Sequence, residues 1–330
     1  MYQNELAGKR ILVTGGSGFI ASHLCRRLIG LGADLYITTK YNSLMDNIRL
    51  APFWDTIKIL EADLRNPDSL TQLQTIKPQI VYHFAAYNHV GDSFLHVSEA
   101  IDSNAKGTAN LMEAWKGYER FVYISTSEVY GYQETVPFTE TMIPQPMSPY
   151  SVGKYSGELF ARMSYRSRNL PVVVLRPFNA FGPYQSPRAV IPELIMKCLR
   201  GVPLETTEGK QTREFNFVEN LVDGFIQAAG IEDAVGQIIN LGSGREIPIR
   251  ELVTKIHEYT MSKSELRLGA LPYRPGEIWR MYADNAKADK ILGWTPQVSF
   301  EDGLKRTVEW FRRYLEVLGS PDSPVAKLGQ

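Results

Sequence analysis

Thr14-Gly15-Gly16-Ser17-Gly18-Phe19-Ile20-Ala21 joins a short apolar run, Lys9–Val13, to a helical pattern, Ile20–Gly30. A glycine turn therefore feeds directly into a helix N-terminus, where unpaired N–H groups and the positive end of the helix dipole face outward. Glycine at 15 and 18 lets the backbone bend and approach a pyrophosphate, and Ala21 supplies the small side chain that close helix–strand packing needs. Such a string alone is weak. Placed after the first strand of an alternating chain, it points to a dinucleotide-binding turn.

The alternation continues outward from that turn. Leu35–Thr39, Ile57–Glu61, Ile80–Phe84, Phe121–Ser125 and Val172–Arg176 read as further buried strands, with Gly236–Gly242 as one more. Amphipathic segments separate them, including long ones at Val97–Trp115 and Tyr150–Arg168. This pattern specifies an α/β fold: a Rossmann-type doubly wound parallel sheet with a smaller, interleaved α/β substrate domain. The expected division gives residues 1–179 to the dinucleotide-binding domain, with 215–257 returning to it, and 180–214 plus 258–330 to the substrate domain. The two long helices offer a second apolar face, and a homodimer through them is expected. Gly319–Gln330, with two prolines, reads as a loosely held tail.

At 330 residues and 44% hydrophobic content the chain can fill both cores. Its 36 basic residues balance 36 acidic ones, which argues against nucleic acid as a partner while leaving room for a local basic pocket. Cys25 and Cys198 have no paired spacing for zinc or a disulfide, so no metal site is expected and both read as buried thiols. Neither a signal-peptide pattern nor an apolar run of about 20 residues is seen, which places the protein in the cytoplasm with no membrane partner.

Two positions bear on the cofactor. The second strand ends Thr38-Thr39-Lys40-Tyr41, without the carboxylate that would bond the ribose hydroxyls of NAD. Lys40 could instead meet a ribose 2′-phosphate, which favours NADP over NAD, with Thr39 beside it. Asp63 and Leu64 follow the third strand, where Asp63 either contacts the adenine or caps a loop. Farther on, Tyr150 and Lys154 stand four apart, on one face of a helix, downstream of Ser125-Thr126-Ser127. A nearby ammonium and a cationic nicotinamide would lower the phenol's pKa from about 10 and make Tyr150 a base for a substrate hydroxyl.

With TGGSGFIA at Thr14–Ala21, HFAA at His83–Ala86, STSEVYG at Ser125–Gly131, YSVGK at Tyr150–Lys154, RPFNAFGP at Arg176–Pro183 and RPGE at Arg274–Glu277, the chain resembles a known family over nearly its whole length. This is the extended short-chain dehydrogenase/reductases that act as nucleotide-sugar epimerases, decarboxylases and dehydratases. The resemblance implies that Thr126 holds the sugar's 4-hydroxyl, Tyr150 is the base and Lys154 grips the nicotinamide ribose. Gly15, Gly18, Phe19, Ile20, Phe84, Ala85, Ala86 and Ser125 would complete the path of a tightly bound, recycled cofactor.

Glu128 then becomes informative, because simple 4-epimerases of the family usually carry a small residue there and Thr-Ser-Glu dehydratases carry this carboxylate. The expected activity is a 4,6-dehydratase acting on a nucleotide-diphosphate sugar, with Glu128 as base at C5 and acid at C6. Ser127 stands where other dehydratases have an aspartate. UDP-glucuronate decarboxylase and nucleotide-sugar 4-epimerase remain alternatives, as does a cofactor-binding sensor without turnover. Arg188, Arg213 and Arg274 are expected to meet the diphosphate and ribose beside Asn179, and Ser93 to lie near the sugar. The segments GPYQSPRAVIP and TREFNFVEN look most like GDP-N-acetylglucosamine and GDP-mannose 4,6-dehydratases, whereas Tyr87–Ser93 departs from that pattern. His89 and Glu140 read as structural.

Overall fold

A computed structural model describes residues 6–43, 47–273 and 277–319. Arg274 and the tail beyond Gly319 lie outside the described residues. Seven strands, β1 Arg10–Thr14, β2 Asp34–Thr39, β3 Lys58–Glu61, β4 Ile80–His83, β5 Arg120–Ile124, β6 Val172–Pro177 and β7 Ile238–Leu241, form one sheet. Every pairing is parallel, in the order β7-β6-β5-β4-β1-β2-β3. Each strand falls within two residues of its expected run. The order reverses between β1 and β4, and in such sheets the crevice at that switch point is where a ligand enters.

Both faces of the sheet are covered, which is why the inner strands read as continuous apolar runs. On one face, α1 (Phe19–Gly30) packs Leu24, Cys25 and Leu28 into a core that also takes Leu221, Val222 and Phe225 from the Val218–Gly230 helix. Leu111, Met112 and Ala161 cover the other face. A second core joins the Val190–Leu199, Ile249–Thr260 and Phe300–Gly319 helices. Residues 215–257 therefore do not return to the sheet as a block: Leu252, Val253 and Ile256 lie in the second core, while Ala288, Leu292 and Trp294 lie in the first. The amphipathic stripe of each helix decides its side, whatever its place in sequence.

The expected Val97–Trp115 helix is interrupted. Val97–Ile101 and Gly107–Ala114 are α-helical, and Asp102–Lys106 between them is a π-turn. Buried Asn104 sits in that wider turn, its Oδ1 accepting the Tyr87 N–H (2.7 Å) and its Nδ2 donating to the carbonyls of Tyr87 (3.1 Å) and Tyr150 (3.4 Å). Those bonds tie the loop after β4 to the helix that carries Tyr150. Phe94, Leu95, Val97, Val152 and Leu159 are exposed on the faces expected to pair two copies. Cys25 and Cys198 are both buried and free. No helix among the described residues is long and apolar enough to cross a membrane.

Candidate active site

Gly15 has φ +65°, and a Cβ there would lie 2.8 Å from the Ala85 Cα, so both conformation and space exclude a side chain. Gly18 is extended and serves as the N-cap of α1, where no side chain caps the helix and no acid occupies its first turn. The first-turn N–H groups stay open to an anion, as a pyrophosphate requires. Thr14 braces the turn from behind: its hydroxyl accepts the Ala85 N–H (3.1 Å) and lies 2.7 Å from His83 Nδ1.

Beside this turn opens a cleft of about 360 Å³, lined by Gly15, Gly18, Thr39, Lys40, Asp63, Leu64, Phe84, Ala85 and Ala86 among others. A neighbouring pocket of about 230 Å³ shares Gly15, Gly18, Phe84, Ala86 and Asn88 with it. Phe19, Ile20, Ser125, Thr126, Ser127, Glu128, Tyr150, Lys154 and Asn179 complete the walls of this second pocket. An uncapped helix end, a glycine pressed against Ala85 and an elongated cleft fit a dinucleotide. At its adenosine end Lys40 pairs with Glu99 (3.4 Å), and Arg65, which sequence reasoning left without a role, pairs with Asp63. Arg65 holds the Asp63 carboxyl down at about 2.

In the second pocket, local sequence sets each side chain. β5 ends at Ile124, and Thr126 caps the short helix Ser127–Tyr130, its Oγ1 accepting the Glu128 N–H (3.2 Å). Ser148 and Ser151 form a capping box with Pro149 at the first helical position, so Tyr150 stands in the first turn and Lys154 one turn on. Tyr150 hydrogen-bonds the Thr126 side chain. Burial pushes the Glu128 carboxyl up, opposed by the positive charge of Arg213.

The lowered phenol pKa expected from sequence is not what the chain's own groups produce. Burial pushes Tyr150 up to about 12, with only the Thr126 hydrogen bond opposing and the Glu128 charge adding to the rise. Burial likewise draws the Lys154 ammonium down to about 7, opposed by Glu158. Desolvation outweighs pairing here because Lys154 is 3% exposed and its nitrogen lies over the Tyr123 ring, 4.7 Å from the centroid.

Glu158, one further turn along the helix, was not singled out from sequence. It is fully buried, accepts from Ser125 Oγ (2.8 Å), and pairs with Arg176 through Nη2 (2.6 Å) and Nε (3.0 Å). The signal was present as the i+4 continuation of the Tyr150–Lys154 stripe. Glu214 is also buried, receives the Ala283 N–H (2.6 Å) and Gly244 N–H (3.1 Å), and is raised to about 7 by burial.

Three residues expected at the substrate are occupied elsewhere. Ser93 is buried in a one-turn helix and donates to the Val90 carbonyl (2.6 Å), so local satisfaction removes it from the pocket wall. Arg188 Nη2 lies 3.0 Å from both Asp92 oxygens. Arg213 is held by Glu277 (2.6 Å) and by the carbonyls of Thr212 and Ile278. His89, read as structural, accepts the Asp92 N–H at Nδ1, and Glu140 accepts the Asn240 N–H.

The low Lys154 pKa sets a pH dependence. The unfolded side chain keeps its proton to about pH 10, the folded one only to about 7. Between these values the unfolded chain binds more protons, so this residue's contribution to stability rises with pH across that window, and below it the full penalty persists. Lys154→Met is expected to withstand more urea than the unsubstituted, cofactor-free protein at about pH 6, by a margin that shrinks towards about pH 10. A margin that does not change with pH would contradict the depressed ammonium.

The fold and this constellation have close parallels. The family model for GDP-mannose 4,6 dehydratase matches residues 12–307. Mouse dTDP-D-glucose 4,6-dehydratase is 34% identical over 92% of this chain and 89% of its own length. Among solved structures, the epimerase Mth375 of Methanothermobacter thermautotrophicus superposes with a TM-score of 0.89 at 32% identity, covering 96% of each chain. The dTDP-glucose 4,6-dehydratase DesIV of Streptomyces venezuelae, solved with NAD bound, gives 0.83 at 32% identity over 92% of this chain and 97% of its own. With the sheet order, the glycine turn and the Tyr150–Lys154 helix, these matches make the chain a member of the extended short-chain dehydrogenase/reductase family of nucleotide-sugar epimerases and dehydratases.

Proposed function

We propose that the protein is a nucleotide-sugar 4,6-dehydratase that converts a nucleotide-diphosphate hexose to its 4-keto-6-deoxy form. The observation that carries this reading is Glu128, a carboxyl raised by burial in the same pocket as Thr126, Tyr150 and Lys154. A carboxyl with a raised pKa can both accept and return a proton near neutrality. A 4-epimerase has no use for such a group.

Bound NAD(P) would supply the hydride acceptor for C4 and the hydride donor for C6. Thr126 orients the 4-hydroxyl, and Tyr150 takes its proton as the C4 hydride departs. With its phenol raised to about 12 by burial, Tyr150 needs cationic help to act. Lys154 and the N-terminal end of its own helix are placed to give part of it. The 4-ketone acidifies C5–H. Glu128 takes that proton and delivers one to the C6 hydroxyl, which leaves as water; C6 then receives the hydride and C5 a proton from solvent. Ser127 borders the pocket without a partner that would make its hydroxyl an acid.

Decarboxylation of UDP-glucuronate and 4-epimerisation share the C4 oxidation and diverge at Glu128. Glu128→Gln is expected to leave substrate-dependent reduction of the cofactor intact while cutting turnover by about 10²- to 10⁴-fold. Incorporation of deuterium from heavy water at C5 should fall with it; undiminished C5 exchange would remove Glu128 from the mechanism.

For the cofactor we propose NADP over NAD, on the absence of an acid after Thr39 and the presence of Lys40 and Arg65 in the cleft wall. The Lys40–Glu99 pair is half exposed and so exchangeable for a 2′-phosphate. Lys40→Ala is expected to weaken NADP about tenfold and NAD by less than about twofold in a fluorescence titration. Equal losses would assign the site to NAD.

A further inference from the structure

On the far side of the sheet from the glycine turn, the helix of Tyr150 and Lys154 ends in a different kind of site. Tyr150, Lys154, Glu158, Arg162 and Arg166 follow one another at intervals of four along Pro149–Arg168, one stripe of one helix face. Glu158 is the buried link between the two ends: it pairs with Arg176, and Arg162 approaches it at 3.6 Å. Beyond it, Arg162 and Arg166 border a pocket of about 170 Å³ against the outer edge of the sheet, with Lys287, Glu140, Tyr165 and Gln237 on the other walls.

The charges around this pocket do not balance. Arg162, Arg166 and Lys287 bring three positive groups and Glu140 one negative one. Glu140 already accepts the Asn240 N–H (2.8 Å), and Arg162 is the only one of the three cations with an ion pair among the described residues. Lys287 is half-buried beside the Arg176 charge, and both its burial and that charge disfavour its ammonium, with Glu140 alone opposing. A partly desolvated ammonium and two guanidinium groups converging on a small cavity, without enough acids to pair them, form the donor set that a tetrahedral oxyanion satisfies.

We infer that the pocket between Arg162, Arg166 and Lys287 is a binding site for a small oxyanion of the phosphate class, separate from the catalytic cleft. Its volume admits an inorganic anion or a single phosphate group and excludes a nucleotide. The pocket shares no lining residue with either part of the cofactor cleft.

The probe is inorganic phosphate, titrated calorimetrically into the full-length protein at constant ionic strength, with chloride as the balancing anion. Saturable binding with a millimolar dissociation constant is expected, weakened about tenfold by Lys287→Met and by Arg166→Met, each assayed separately. Thermal unfolding of each variant without phosphate controls for loss of fold. The expected signature is a phosphate-dependent rise in Tm that is lost in both variants while their phosphate-free Tm stays at the unsubstituted value. No saturable binding, or binding undiminished in both variants because the phosphate sits in the catalytic cleft, would overturn the assignment.

Discussion

Arg176 and Glu158 are 1% and 0% exposed, and their ion pair joins the end of β6 to the middle of the catalytic helix. Taking two charges out of water costs several kcal/mol per ion, which only well-aligned bonds offset. Here the bonds are aligned: two nitrogens of Arg176 meet two oxygens of Glu158, Ser125 donates to the same carboxylate, and the Tyr130 ring lies 4.7 Å from the guanidinium. The pair fixes β5, β6 and the Pro149–Arg168 helix against one another. Thr126 and Glu128 on one side and Tyr150 and Lys154 on the other hang from those three elements, so their mutual geometry depends on it.

A second constraint acts from the opposite side of the site. Gly15 can approach Ala85 only because it lacks a side chain, and Thr14 ties that approach to His83, whose Nε2 reaches Thr108 (2.9 Å). Thr108 donates in turn to the Asn104 carbonyl, and the Asn104 side chain bonds the carbonyl of Tyr150. Buried polar contacts thus run from the phosphate turn to the catalytic tyrosine without an exposed step. The chain has placed its polar groups where a dinucleotide would span, and the apolar strands around them keep water out.

Much of this was legible in the sequence, because strand runs, glycine turns and capping residues are local signals. The seven sheet strands and the residues of the two-part cleft were all named from pattern or resemblance. What was not legible depends on partners distant in the chain. Arg188 and Arg213 look free in sequence, but Asp92 and Glu277, 96 and 64 residues away, hold them in the structure. The phenol pKa was misread for a related reason: spacing reveals that Lys154 is near Tyr150, whereas burial, which raises one and lowers the other, is a property of the fold. Domain limits failed where a helix chose its core by its apolar face, as Ile249–Thr260 does.

The account stands or falls on what happens at C5 and C6 after C4 is oxidised. The most direct test is mass spectrometry of the purified protein, supplied with catalytic NAD(P) and no reductant, against GDP-, UDP-, CDP- and dTDP-hexoses, their N-acetylated forms and UDP-glucuronate. Loss of one water from a nucleotide hexose, with the cofactor unconsumed, is the predicted result. Loss of carbon dioxide from UDP-glucuronate, or an unchanged mass with inversion at C4, would contradict it.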